Sequence, residues 1–310
     1  MTDSPTTDYW LGLDLGGSSV KAVVTTPSCR QRASFNEPFD PERRLHFAEI
    51  IRELVVRVVA GQGGAPRLVG LSAPGLAAKD GRSIAFMPGR LDGLEGLDWA
   101  KFLGLPAVPV LNDAHAALLG EVWCGAARGS ENVILVTLGT GVGGAAMVDG
   151  RLLRGHVGKA GHLGHVSLDP DGALDICGAP GSLEDAIGNH NVAARSDGRF
   201  ATTHDLMRAH EAGDGFATAV WLKSVKALAA ALVSFGNVLD PEVAILGGGV
   251  ARCGETLLRP LRELVAAREW RPGGVGMRLV PAELGEFAGA YGAAWQAGRA
   301  ARCEAERAAK

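Results

Sequence analysis

The chain has 310 residues, 47% apolar and 21% charged, with a formal net charge of -3. That composition fits a globular protein with a sizeable core and room for two domains, and the missing basic excess argues against a dedicated nucleic-acid binder. Five scattered cysteines (Cys29, Cys124, Cys177, Cys253 and Cys303) read as reduced thiols, the start MTDSPTTDYW lacks the regions of a secretory signal, and no run of about twenty apolar residues stands out. The expectation is a cytoplasmic protein that contacts no membrane.

Residues ahead of Tyr9 are polar and expected to be loose. Residues 9–15 and 20–25 read as strands on either side of Gly16-Gly17-Ser18-Ser19. Residues 41–60 carry apolar side chains at helical spacing. A strand over 67–72 runs into Ala73-Pro74-Gly75-Leu76, a turn covers Lys79-Asp80-Gly81-Arg82, and residues 84–86 are a short strand. A glycine-dotted loop over 91–99 and a short helix over 99–103 follow. A strand over 107–111 ends in Asn112-Asp113, and a helix runs over 114–124, so both polar residues sit where helix N–H groups begin.

Residues 133–137 and 145–148 read as strands around Leu138-Gly139-Thr140-Gly141-Val142-Gly143-Gly144, with a hairpin turn at Asp149-Gly150. Gly139, Gly141 and Gly144 satisfy G-x-G-x-x-G, but a dinucleotide fingerprint requires a helix directly afterwards, and here a strand follows. A glycine turn between strands can present bare N–H groups to phosphate; a plain hairpin is the alternative. Strand, glycine turn and strand thus occur twice, which hints at two similar halves. Beyond a loop over 169–182, helices are expected over 183–194, 203–212, 214–239, 255–270 and 286–305. Strands are expected over 243–246 and 277–280, with Gly247-Gly248-Gly249 between. Strands alternating with helices define an α/β protein.

Four segments in order resemble the ROK family of sugar kinases: LGLDLGGSSVK (11–21), LNDAHAALLGE (111–121), TLGTGVGG (137–144) and DPEVAILGGGV (240–250). The similarity runs from Leu11 to about Trp295. It implies a two-domain actin-like, ribonuclease-H-like ATPase fold with a central cleft. Its smaller domain would comprise residues 1–113 plus about 288–310, its larger domain 114–287. The resemblance places Gly16, Gly17, Ser18, Lys21, Thr140 and Gly141 at the phosphates of ATP, and Gly247, Gly248 and Gly249 at adenine and ribose. Asp14 would hold Mg²⁺, which takes only one or two carboxylates. Asp113 would be the general base, with Gly75, Asn112, His162, His165 and Glu184 at the sugar, Glu184 near its anomeric end. An N-cap for Asp113 and a turn role for Asp14 are the alternatives from the residues alone.

Three departures from the family pattern stand out. His162 occupies the position of a family glutamate that accepts from sugar hydroxyls, and a neutral imidazole offers one donor and one acceptor instead. The family's zinc set of one histidine and three cysteines here reads His165, Asp175, Cys177 and Ser182; serine is no zinc ligand, so no bound zinc is expected. His165 is then expected to touch sugar, its other nitrogen fixed by a loop carbonyl. Arg90 lies beside the 91–99 insertion, where the register against an asparagine of relatives is blurred. The implied activity is phosphorylation of a hexose hydroxyl, glucose to glucose 6-phosphate. Fructose, mannose, allose and N-acetylhexosamine remain open as acceptors, and polyphosphate as donor. A sugar-responsive repressor would carry a helix-turn-helix ahead of the first strand, which the start of this chain leaves no room for. A non-catalytic sugar binder and a homodimer complete the expectations.

Overall fold

The computed structural model describes residues 8–308; the expectation of loose chain at the start falls on residues 1–7, outside that range. The chain gathers into two units. The first comprises the chain up to Gly129, Arg154–Ala160 and everything from Glu283 onward; the second comprises Ser130–Leu153 and Gly161–Ala282. The helix after Asp113 therefore gathers with the first unit, beyond the boundary expected at that residue.

In the first unit, β1 (Trp10–Leu15) and β2 (Ser19–Thr25) form an antiparallel hairpin around the first glycine turn. β3 (Gln31–Pro38) extends it at the edge, then come α1 (His46–Gln62), β4 (Leu68–Ala73), β5 (Leu76–Ala77), β6 (Ile84–Phe86), α2 (Trp99–Leu103), β7 (Val110–Asn112) and α3 (Asp113–Cys124). The sheet order is β3-β2-β1-β4-β7, with β4 parallel to both β1 and β7. β3 escapes the sequence pattern because an edge strand with Asn36, Glu37 and Pro38 half in solvent carries no apolar run. The first turn expected of α1 is absent: Leu45 has φ 58° and ends the preceding turn.

In the second unit, β8 (Val133–Leu138) and β9 (Val142–Val148) form the second hairpin, extended by β10 (Arg151–Leu152). α4 (Leu183–Ile187), α5 (Val192–Arg195), α6 (Thr203–Glu211), α7 (Gly215–Leu239), β11 (Val243–Gly247), α8 (Glu255–Ala266) and β12 (Arg278–Pro281) follow. Its order, β10-β9-β8-β11-β12, has two antiparallel pairs, then β8, β11 and β12 parallel. Strand for strand this repeats the first sheet, so the two halves hinted at by the glycine turns are a duplicated topology. The helix expected over 183–194 is broken at Gly188. α7 is long and apolar enough by composition to cross a membrane, contrary to the reading that no such run exists. Trp221, Val225, Leu228 and Leu232 on it nevertheless belong to this unit's core, as in a core helix of a globular protein.

The chain closes with α9 (Ala288–Ala308), which lies on the first unit's sheet and α3. The approach is backbone to backbone: a Cβ on Gly12 would lie 1.8 Å from Ala290 O, and one on Gly292 1.7 Å from Ala116 O. The fully buried Glu121 fixes the entry to α9, accepting from Ala126 N (2.8 Å), Glu283 N (3.0 Å) and Leu284 N (2.9 Å). The thiol expectation needs one correction. Cys29, in the turn after β2, and Cys124, ending α3, are joined as a disulfide with Cα atoms 6.1 Å apart. Parity and spacing cannot reveal that a turn and a helix end 95 residues apart are neighbours.

Candidate active site

The chemistry of the first unit gathers where β1, β4 and β7 end. Asp14 is packed so closely under α9 that a Cβ on Gly289 would fall 2.6 Å from its Cγ. Its Oδ1 accepts from Ser72 Oγ at 2.7 Å. Burial pushes its carboxyl up to about 6, opposed by the Ser72 bond, helped by the charge of Asp113 and opposed by Lys21. Ser72, one strand over, gave no motif signal; only the register Asp14↔Ser72 reveals it. One carboxylate anchored through one oxygen fits a hydrated Mg²⁺.

Asn112 is the N-cap of α3. Its Oδ1 accepts from Ala114 N (3.0 Å) and His115 N (3.2 Å), and its Nδ2 donates to Gly75 O at 2.9 Å. Gly75 needs its hydrogen side chain: φ is 96°, and a Cβ would meet Phe86 O at 2.6 Å. Asn112 is thus the N-cap, and the neighbouring Asp113, first residue of α3, shares only the Ala114 N–H. Its carboxylate is exposed, touching Ala114 N at 2.8 Å and feeling Asp14 electrostatically. The capping alternative thus describes Asn112, not Asp113.

The first glycine turn is closed by Gly16 N donating to Ser19 O at 2.9 Å. Lys21 Nζ reaches Ser19 Oγ at 3.5 Å and Glu286 at 4.0 Å. Arg90, left without a role by the sequence, brings Nη2 to 3.2 Å from where a Cβ of Gly17 would be. Both residues line a cavity of about 650 Å³ with Met87 and the carboxylates Glu42, Asp92 and Glu95. Two of those carboxylates are engaged elsewhere, Asp92 by Arg44 and Glu95 by Met87 N.

The second glycine turn is braced from outside. Glu184, in the first turn of α4, accepts from Val142 N at 2.7 Å through Oε2, the atom 2.3 Å from where a Cβ of Gly141 would lie. That bond sets Glu184 against the turn. The break at Gly188 has its reason here: it frees Asn189 N and His190 N to donate to Gly139 O and Thr140 O, both at 2.9 Å. His190 also bonds Thr140 O and Asp185 through its ring. Burial lowers its pKa, but Thr140, Asp185 and Glu184 together raise it above the usual value. Asn189 and His190 were invisible in sequence because helical periodicity was read straight through them. Gly248, at φ 86°, lies so close to Leu138 O that a Cβ would be 2.3 Å away. Gly139, Thr140 and Gly249 line a cavity of about 730 Å³ with Asn189, His204 and Arg208; Gly247 is buried in β11.

His162 and His165 stack with ring centroids 6.4 Å apart. His165 is held by a carboxylate instead of the expected carbonyl: Nδ1 meets Asp175 Oδ2 at 2.8 Å, and Nε2 lies 3.5 Å from Cys177 Sγ. Asp175 also accepts from Cys177 N and Ala179 N at 2.9 Å. Burial raises its pKa, but the bonds from His165, Ala179, Ser182 and Cys177 outweigh this and hold it at about 2. The three ligand atoms lie within 4.8 Å of one another. Ser182 Oγ caps α4 by accepting from Asp185 N. As a zinc set this offers three donors, and water would have to supply the fourth.

A duplicated sheet with a phosphate-type glycine turn in each half and carboxylates at the strand ends defines an actin-like ATPase of the sugar-kinase type. The model of the ROK family matches residues 10–300, and the chain belongs to that family. It is 32% identical to a glucokinase of Thermotoga maritima over 92% of this chain and 95% of that one. It is 29% identical to an N-acetylmannosamine kinase of Escherichia coli over 92% and 96%. Among solved structures, a ROK hexokinase of Thermus thermophilus matches with a TM-score of 0.84 at 32% identity, covering 95% of this chain and 99% of that chain. A ROK-family glucokinase of Streptomyces griseus, in complex with glucose and AMPPNP, matches at 0.73 and 29% identity, covering 94% and 99%.

Proposed function

We propose that this ROK-family sugar kinase phosphorylates the 6-hydroxyl of glucose from Mg²⁺-ATP, with Asp113 as general base. The observation that carries the reading is Asp113 itself: an exposed carboxylate at the start of α3, beside the N-cap Asn112 and in the field of Asp14. A sugar hydroxyl is a poor nucleophile, and a positioned carboxylate accepting its proton contributes roughly 10²–10⁴-fold. Asn112 keeps one amide hydrogen for a hydroxyl, and Gly75 leaves the backbone bare beside it. His162, His165 and Glu184 complete the sugar contacts, with His162 setting which hydroxyl pattern is accepted.

The remaining task is holding donor and acceptor in line. On this reading Gly16, Gly17, Ser18, Lys21, Thr140 and Gly141 take the donor phosphates, and Gly247, Gly248 and Gly249 flank adenine and ribose. Asp14 would offer Mg²⁺ one carboxylate, and the ion would supply charge neutralisation for the donor phosphates. The same reading carries a homodimer acting in the cytoplasm where glucose enters glycolysis. His162 favours keeping a second acceptor in view, and the likeness to an N-acetylmannosamine kinase names it.

The test is purified protein with Mg²⁺-ATP and a panel of hexoses, followed by ADP release. A buried polar site can reject analogues by roughly 10⁴–10⁵, so glucose should win outright. ADP release indifferent to every sugar, or unchanged in Asp113→Asn, would sink the reading.

A further inference from the structure

The first unit holds another cavity, of about 380 Å³, that shares no lining residue with the candidate catalytic groups. Lys79, Leu111, His115, Arg154, His156 and Gly158 line it, and none of its described lining residues is a carboxylate. Its position is specific. Leu111 and His115 flank Asn112 and Asp113 in the chain, and the opposite wall is the segment Arg154–Ala160. That segment gathers with the first unit although residues of the second unit precede and follow it. It is a folded loop: Ala160 N donates to Arg154 O at 3.2 Å, and Gly155 and Gly158 take φ 70° and 87°. A Cβ on Gly158 would lie 3.1 Å from Ala77 O. His115, 2% exposed, fastens the loop to α3 through Nε2 and Ala160 O at 3.0 Å.

Arg154 is the informative side chain. It is half-buried, and its guanidinium forms no ion pair or hydrogen bond with the described residues. Burial lowers its pKa, and the like charge of Arg299 lowers it further. Arginine stays protonated regardless, so a partly desolvated positive charge lines this cavity together with Lys79 and His156, with no carboxylate among the described lining residues. Charges taken out of water are ordinarily paired, and a guanidinium and an ammonium lining one cavity suit a phosphate, gripped bidentately by one and as a point charge by the other. The volume lies within the range of small-molecule sites, roughly 300–1,000 Å³, which leaves space for more than the phosphate alone.

We propose that this cavity binds a phosphate monoester, its phosphate held by Arg154 and Lys79 and its body against Ala77 and Leu111, at a site separate from that of the transferred phosphoryl group. Occupancy ties the Arg154–Ala160 loop to the start of α3, the helix that begins with Asp113, which makes the site a natural place for a phosphorylated metabolite to act on the kinase.

The experiment is calorimetric titration of the full chain without nucleotide or Mg²⁺, using inorganic phosphate, glucose 6-phosphate and glucose as probes, in wild type, Arg154→Ala, Arg154→Lys, Lys79→Ala and Asp113→Asn. Glucose 6-phosphate should bind more tightly than inorganic phosphate. Arg154→Ala should weaken both by at least about tenfold, the loss of one charge-assisted pair, while glucose binding is unchanged. Arg154→Lys should be intermediate, and Asp113→Asn should leave the affinity for inorganic phosphate unchanged. Thermal melts establish that each variant folds, and Lys79→Ala gives an independent reading should Arg154→Ala not. Equal affinity in wild type and both alanine variants, or no phosphate binding, overturns the proposal; binding of inorganic phosphate alone overturns the monoester. Because no turnover is involved, these results stand whether or not the chain phosphorylates glucose.

Discussion

The two glycine turns have the same topology and different surroundings. The first, Gly16 to Ser18, is attended by side chains that carry charge: Asp14 beneath it, Lys21 following it and Arg90 beside Gly17. The second, Gly139 to Gly141, is held as a mould. Glu184 fixes Val142 N, and the backbone of Asn189 and His190 fixes the carbonyls of Gly139 and Thr140. The sheets repeat one topology, and on the proposed reading both turns offer N–H groups to phosphate. On that reading the first turn is the place for metal and charge and the second a backbone seat. Damage to the first should therefore appear in kcat, and damage to the second in nucleotide binding.

The largest effect expected is from Asp113→Asn, which keeps the side chain's size and removes the proton acceptor. Its kcat should fall by roughly 10²–10⁴ with the KM for ATP little changed, in steady-state assays with saturating sugar. A matched rise in the KM for ATP would erase the division between the turns. Next is Gly141→Ala. The new Cβ lies 2.3 Å from Glu184 Oε2 and must dislodge the carboxylate that fixes Val142 N. Overpacking of this kind costs about 1–3 kcal/mol. ATP affinity by calorimetry should drop by a corresponding factor of about 5–150. Gly17→Ala is the control, since its Cβ would meet only the mobile tip of Arg90 at 3.2 Å. If both substitutions behave alike, the second turn is not a mould.

What the sequence revealed follows from which interactions are local. The glycine turns, the strand ends at Asp14 and Asn112 and the apolar runs of β1, β8 and β11 were legible because a few adjacent residues determine them. Ser72, His190 and Arg90 were not, because each reaches its partner through register, a helix break or a long loop. The broken helix at Gly188 shows the limit well: periodicity predicted continuation, and the demand of two carbonyls 50 residues away overrode it. The same holds for Cys29 and Cys124, and for His165, whose carboxylate partner sits ten residues on in a loop without periodicity.

A smaller effect concerns pH. Asp14 titrates near 6 in the folded chain and near 3.8 as a free side chain. Between those values the folded state holds a proton that the unfolded state releases. Stability of the Mg²⁺-free protein should therefore decline as pH rises from about 4 to about 6, by on the order of 2 kcal/mol. Thermal melts across that window measure it, and Asp14→Asn should flatten the slope. An unchanged slope in the variant would mean that the first turn's buried charge lies elsewhere.

The smallest effect separates two roles for Arg90. Beside Gly17 it can meet charge on the donor's phosphates, whereas the asparagine that relatives carry in this region would make it a sugar contact. A solvent-screened arginine acting on phosphate is worth about 1 kcal/mol, so Arg90→Ala should lower kcat by about fivefold and leave the KM for sugar alone. The loss should shrink as salt rises, because screening already weakens the interaction being removed. A higher KM for sugar with kcat intact would move Arg90 to the sugar, and Asp14 and Lys21 would then be the charges left to distinguish the first turn from the second.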